Sequence, residues 1–292
     1  MKLAIRHPQR RQDDRQDRRL RKGISIIPSL FTSANIAMGY YAIVQVTQVS
    51  AAEPWHFDLA AKAIGAAVLF DSLDGFLARL MHVSSDFGRE LDSLADVVTF
   101  GVAPALLAFM WGFHMLPALS YPLMHTRMVQ LGAIASLTFL IAGASRLARF
   151  NIQINPQPSN PGRPDRKYFV GMPIPAAAGV LASAVHYAAG EPLDAWWQAV
   201  LWLLLVFGCA FLMVSTWRFF STKGIDPRSR HPFQTVVLVA VLIAGLWQFS
   251  RPFLVILAFG YLLSGIVWRL QWIFRRRPGP PPLPPLKEVP AS

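Results

Sequence analysis

Between residues 71 and 96 the chain reads DSLDGFLARLMHVSSDFGRELDSLAD, a stretch that carries Asp71, Asp74, Asp92 and Asp96. Strongly apolar segments flank it, HFDLAAKAIGAAVLF before and VVTFGVAPALLAFMWGF after. A carboxylate at the end of a membrane-length apolar run is costly, so it needs a bound cation or a wet cavity as partner. On a helix, Asp71, Asp74 and Ala78 share one stripe with Gly75 beside it, because steps of three, four and seven nearly complete whole turns. Gly88, Asp92 and Asp96 form a second stripe at steps of four. The short join MHVSSDF lets two antiparallel helices turn these stripes toward each other. The expected product is an oxygen-rich pocket for one or two hard divalent cations such as Mg2+ or Mn2+. One Asp near a helix end reads as a solvated boundary residue. Four at helical spacing, with two glycines and Arg79, read as a site.

The rest of the chain supports a membrane setting. Of its 292 residues 53% are hydrophobic, yet its net charge is +12, a pairing foreign to a soluble globule and ordinary for a polytopic membrane protein. Apolar runs predict a first helix from near Pro28 to about Val46. Further helices are predicted at 57–80, 92–113, 129–149, 170–189, 195–216, 232–249 and 252–274, the last two forming a hairpin around QFSRPF. Lys and Arg concentrate in the tail before Ile24, in 150–169, in WRFFSTKGIDPRSRH and in the C-terminal FRRR, and 80–91 has Arg89 with Arg79 at its edge, while 48–56, 114–128, 190–194 and 250–251 are basic-poor. Eight helices put every basic segment on one side, so the positive-inside rule makes both termini and the Asp cluster cytoplasmic. The basic excess therefore reads as topology and attraction to anionic lipid, not as nucleic-acid binding.

The spaced residues Asp71-x2-Asp74-Gly75-x2-Ala78-Arg79-x8-Gly88-x3-Asp92-x3-Asp96 resemble the complete signature of the CDP-alcohol phosphatidyltransferase family. That resemblance implies an all-α membrane bundle, a six-helix core here followed by the C-terminal hairpin. It also implies transfer of a phosphatidyl group from CDP-diacylglycerol to an alcohol with release of CMP, at a site holding two Mg2+ or Mn2+ ions, in a homodimer. On the same ground Asp71, Asp74 and Asp92 are expected metal ligands, and Asp96 a ligand and the base that takes the proton of the attacking hydroxyl. Gly75, Ala78, Arg79 and Gly88 are the expected contacts of CDP-diacylglycerol: Gly75 and Gly88 for close approach, Ala78 for a shallow groove, Arg79 for phosphate.

Three further runs, PSLFTSANIAMGYYAI, SRLARFN and FVGMPIPAAAG, are similar to the bacterial branch of that family that takes L-serine. Glycerol 3-phosphate, inositol and choline are the other acceptors in the class, and a cation transporter using the Asp cluster as ion site is the alternative outside it. An ion pathway should place carboxylates near the midplane on broken helices, whereas these lie toward helix ends. Within the runs, Asn35 serves either a helix–helix hydrogen bond or the nucleotide lipid, with Thr32 one turn before it. Arg146 and Arg149, followed by Asn151, are either anchors at a cytoplasmic helix end or receivers of the serine carboxylate, for which Arg offers paired donors. Gly171, Pro173 and Pro175 are expected to kink the start of the fifth helix.

The remaining features are plainer. The tail 1–23 alternates Arg with Asp, has no apolar core and is expected to be a basic cytoplasmic tail rather than a signal peptide. Residues 24–275 form the membrane-embedded domain, and 276–292, rich in Pro, an extended disordered tail. Five of the seven histidines, His82, His114, His125, His186 and His231, show no metal-ligand spacing with one another. Trp111, Trp196, Trp197, Trp268 and Trp272 sit near helix ends as an interfacial belt would, and Cys209 reads as a packing residue. The expected location is the bacterial cytoplasmic membrane.

Overall fold

The computed structural model describes residues 26–81, 86–117, 122–154, 168–220 and 250–274. Both tails and the helix expected at 232–249 lie outside them, so one arm of the hairpin is described. In chain order, α1 spans Ile26–Thr47, α2 Trp55–Met81 and α3 Asp86–Asp96. The helix continues through a π-helical segment Val97–Val102, α4 Ala103–Phe109 and a second π segment Met110–His114. Then come α5 Pro122–Ile154, strand β1 Tyr168–Val170, α6 Ile174–Tyr187, α7 Trp196–Val214, strand β2 Arg218–Phe220 and α8 Ser250–Phe274.

The expected all-α membrane bundle is what forms. Among the described residues, four stretches are long and apolar enough to cross a bilayer by themselves: Phe87–His114, Leu123–Asn151, Trp196–Val214 and Ser250–Gln271. Helices α1 and α2 have 22 and 27 residues and so reach the necessary length of about 20, with Thr32, Asn35, Gln45, His56, Asp58 and Asp74 buried. Helix α6 is shorter, and its Ala-rich sequence is buried on nearly every side, with Ala177, Ala178, Val180 and Leu181 inaccessible. Small side chains let α2, α8 and the long α3–α4 helix approach it closely, since dispersion between well-packed surfaces is what holds helices together in lipid. Cys209, fully buried on α7, packs there as expected.

Three boundaries depart from the sequence reading. The third helix starts at Asp86 rather than 92, because DFGRELDSLAD is amphipathic and an apolar run marks only its buried half. Helix α5 runs past 129–149 at both ends, to Pro122 and Ile154. Residues 168–173 are not helix. Strand β1 pairs antiparallel with β2, Phe169 opposite Phe219, and Gly171 turns the chain at φ +80, a conformation Gly adopts without a Cβ penalty. The amide of Gly171 donates to Trp217 O at 2.8 Å, and that of Met172 to Leu212 O at 3.0 Å. Pro173 then precedes α6 as its extended N-cap.

Inside the third spanning helix, Pro104 lacks an N–H and its ring crowds the carbonyl four residues back. The backbone widens into a π turn over Val97–Val102 just ahead of it, and such turns recur at functional sites. Asp96 is the residue immediately before that turn.

At the end of the bundle near the 48–54 connection, polar side chains tie helices together. Asp58 on α2 accepts from His186 Nδ1 of α6 at 2.5 Å and pairs with Lys62 Nζ at 2.8 Å, while His186 Nε2 lies 3.3 Å from Ser250 Oγ of α8. Nearby, His56 Nδ1 and Gln45 Oε1 are 2.6 Å apart. Trp111 does not belong to an interfacial belt: it is 4% exposed, donates to Glu191 O at 2.8 Å and meets Trp202 edge-on at 4.8 Å. Trp196 and Trp197, each 53% exposed, do have belt-like positions.

Candidate active site

Asp71 and Asp74 lie about 20 and about 24 Å along α2 from Asp58, given about 1.5 Å of rise per residue. At that level α2 faces α3. One carboxylate oxygen each from Asp71, Asp92 and Asp96 come together, all within 4.8 Å of one another. Three ionised carboxylates at that spacing repel by about 3 kcal/mol per pair at an effective dielectric of about 20, so the arrangement needs positive charge to persist.

Asp74 takes a different place. It is 8% exposed, and Thr32 Oγ1 of α1 donates to its Oδ2 at 2.7 Å. Its Oδ1 is buried with no hydrogen-bond partner among the described residues. A buried acceptor without a donor is costly, and a cation beside the Asp71–Asp92–Asp96 cluster would satisfy it. Hard oxygen donors clustered in this way, with one buried oxygen left over, fit a divalent ion such as Mg2+ or Mn2+.

Helix α1 supplies the third wall. Asn35 is 1% exposed, and its Nδ2 approaches Asp96 Oδ1 at 3.5 Å. Its backbone carbonyl accepts from Thr99 Oγ1, inside the π turn, at 3.1 Å. One turn further along, Gly39 lies flat on Thr99: a Cβ there would fall 2.8 Å from Thr99 Cα. The close crossing of α1 over the π turn thus sets Asn35 beside Asp96. Asn35 Oδ1 is, like Asp74 Oδ1, buried without a partner among the described residues.

Helix α5 closes the fourth side, and there the two arginines separate. Arg146 is 7% exposed, lies 5.3 Å from the Phe150 ring centroid, and interacts electrostatically with Asp96 and Asp71. Arg149 points elsewhere. Its Nη1 donates to Val214 O and its Nη2 to Val170 O, both at 3.3 Å, so it joins the end of α7 to β1. Asn151 donates from Nδ2 to Ser93 Oγ of α3 at 2.8 Å. Gly75 and Gly88 sit half-buried on α2 and α3. Ala78 and Arg79 are in α2, but their side chains lie outside the described residues.

Gly39 and Ser93 lie within singled-out runs and Thr99 just beyond one, but nothing in the sequence marks these three residues themselves. They matter through partners some 60 residues away, and the only local signal was Pro104, whose place in an apolar helix foretells an irregular turn.

Residues 25–209 match the family model described as CDP-alcohol phosphatidyltransferase. The chain belongs to that family. Among curated relatives, a protein of Helicobacter pylori (strain ATCC 700392 / 26695) is 32% identical over 258 residues, covering 85% of this chain and 92% of the relative. One from Bacillus subtilis (strain 168) is 32% identical over 203 residues, covering 67% and 90%. One from Saccharomyces cerevisiae is 37% identical over 156 residues, covering about half of each chain. All three carry the name CDP-diacylglycerol–serine O-phosphatidyltransferase. As a phosphatidyltransferase of this family, the chain keeps all four aspartates at one end of the bundle, three of them converged and the fourth one turn away.

Proposed function

We propose that the protein transfers the phosphatidyl group of CDP-diacylglycerol to the hydroxyl of L-serine, giving phosphatidylserine and CMP. The observation that carries this is the Asp71–Asp92–Asp96 cluster with the orphaned Asp74 oxygen beside it, in a family whose chemistry is transfer from a CDP-alcohol. The like-named relatives support serine as the acceptor.

Asp71, Asp74, Asp92 and Asp96 would hold two divalent ions, which when bound supply charge neutralisation for the pyrophosphate. The chain's own residues do the rest. Asp96 accepts the proton of the serine hydroxyl as that oxygen forms its bond to the lipid-bearing phosphorus. The bond from that phosphorus to the bridging oxygen breaks, and CMP leaves with the oxygen. Asn35 restrains Asp96 from behind through Nδ2, so the base is oriented before substrate arrives. Thr32 does the same for Asp74.

Gly75 and Gly88 let the nucleotide and phosphates approach the backbone, Ala78 keeps the groove shallow and Arg79 meets phosphate. Arg146 receives the serine carboxylate; with both guanidinium nitrogens on backbone carbonyls, Arg149 supports that pocket from outside, and Asn151 borders it. The acyl chains stay in the bilayer. The protein sits in a bacterial cytoplasmic membrane as a homodimer, with its termini and this site on the cytoplasmic side, the orientation that the basic loops favour.

Purified protein supplied with CDP-diacylglycerol and Mn2+ should release CMP when L-serine is added. It should not do so with glycerol 3-phosphate, inositol or choline. Release with one of those instead would keep the chemistry and replace the acceptor, and no release with any of them would overturn the reading.

A further inference from the structure

Thr32, Asn35 and Gly39 fall on one face of α1, at steps of three and four. Each meets a residue far along the chain. Thr32 Oγ1 donates to Asp74 of α2 at 2.7 Å, and Asn35 Nδ2 approaches Asp96, at the end of α3, at 3.5 Å. Gly39 receives Thr99: a Cβ on Gly39 would fall 2.8 Å from Thr99 Cα and 2.9 Å from its Cβ. Helix α1 is therefore a strap laid over both acid-bearing helices. Thr99 grips the backbone of that strap. Its Oγ1 donates to the Asn35 carbonyl at 3.1 Å, and the residue is wholly buried. A helical carbonyl already serves the amide four residues on, here that of Gly39, and its second lone pair takes the hydroxyl. A glycine at 39 leaves the room for that second bond.

Thr99 stands three residues past Asp96 on the same spanning helix, inside the π turn in which the Ala103 amide reaches back five residues to Val98 O. Its bond to α1 thus fixes the strap against the helix that carries Asp96. We infer that Thr99 is a positioning residue for Asp96: its hydroxyl locks the register of α1, and so holds the Asn35 amide on the Oδ1 of the base. That amide stands at the outer edge of hydrogen-bond range, so a slide of about 0.5 Å would lose it. A carboxylate without that donor turns more freely, and each turnover must then recover the productive orientation. Thr99 is shut inside the bundle, so its loss falls on the chemical step and not on the binding of either substrate. The inference rests on the reading of Asp96 as the base given above.

Thr99→Val keeps the shape and removes the hydroxyl, and is measured by CMP release from the full chain in detergent with CDP-diacylglycerol, L-serine and Mn2+. The expected result is a kcat lowered about 10-fold with both KM values within about twofold, the signature of a misplaced base. Thr99→Ser, which keeps the hydroxyl, should restore most of the rate. In an Asn35→Ala background Thr99→Val should add little, because the amide through which Thr99 acts is already gone. Ser183→Ala is the comparator: it loses a buried hydroxyl that donates to Val180 O at 2.9 Å on α6, and should lower the Tm without slowing turnover. Where Thr99→Val does not yield folded protein, Thr99→Ala takes its place in the same scheme. An unchanged kcat in the hydroxyl-free variant would overturn the inference and leave the proposed reaction intact. So would an equal loss in Thr99→Ser, full additivity with Asn35→Ala, or a Ser183→Ala variant that slows turnover as much. An Asp96→Asn variant that keeps its kcat would overturn the base reading and the inference with it.

Discussion

The two ends of the bundle bury the same kind of group and treat it in opposite ways. At one end Asp58 is 7% exposed and both its oxygens are engaged, by His186 and by Lys62, with Ser250 completing the chain of contacts. At the other, three carboxylates converge, and Asp74 Oδ1 and Asn35 Oδ1 are buried with no partner among the described residues. A saturated buried carboxylate holds helices in register. Three converged carboxylates call for more positive charge than Arg146 alone supplies, and a bound cation would meet that demand. Burial alone does not distinguish scaffold from site; the balance of donors and acceptors does.

That contrast is open to direct tests. Asp92→Asn should lower serine-dependent CMP release on the order of 10³-fold. It should not lower the Tm of the ion-free protein, because it removes repulsion from the cluster; a large fall in Tm would make the acidic end structural as well. His186→Ala should do the reverse. It leaves Asp58 and Ser250 short of a partner in a buried setting, at a cost of about 3 kcal/mol. Thermal unfolding should report that loss while kcat per folded molecule stays near that of the unaltered chain.

Mn2+ at about 100 times its Kd should stabilise the unaltered chain by about 2.7 kcal/mol, by mass action on the folded state alone. Asp92→Asn should lose most of that gain and His186→Ala keep it, and EDTA should abolish both gain and activity. An equal Mn2+ effect in all three proteins would break the comparison. The smallest effect is expected from Thr32→Val, which removes the 2.7 Å hydrogen bond to Asp74. Stability should fall by about 1.5 kcal/mol, and the Mn2+ concentration for half-maximal activity should rise roughly tenfold, as when a partner that orients a metal ligand is lost.

Much of this was legible along the chain. The apolar runs set the number of helices among the described residues and their approximate limits, and the i, i+3 and i, i+4 steps put Asp71 with Asp74 and Asp92 with Asp96. What was misplaced is instructive. Trp111 looked like a belt residue, but Trp202 and the Glu191 carbonyl draw it inside. The paired arginines of SRLARFN looked equivalent, and packing sends Arg146 toward the acids and Arg149 to two carbonyls. Residues 170–173 read as helix, but β2 and the end of α7 claim their backbone.

Helical periodicity is a local property, so the residues themselves determined which side chains share a face, which segments are apolar enough for lipid, and which family the acidic spacing belongs to. Contacts between distant residues obey no such period. The pairing of Asp58 with His186 across 128 positions, the seating of Asn35 on Thr99, and the choice of which three carboxylates converge were decided only when the helices packed. Small residues such as Gly39 set how closely two helices cross, and that distance decides which polar groups find a partner and which are left facing a ligand.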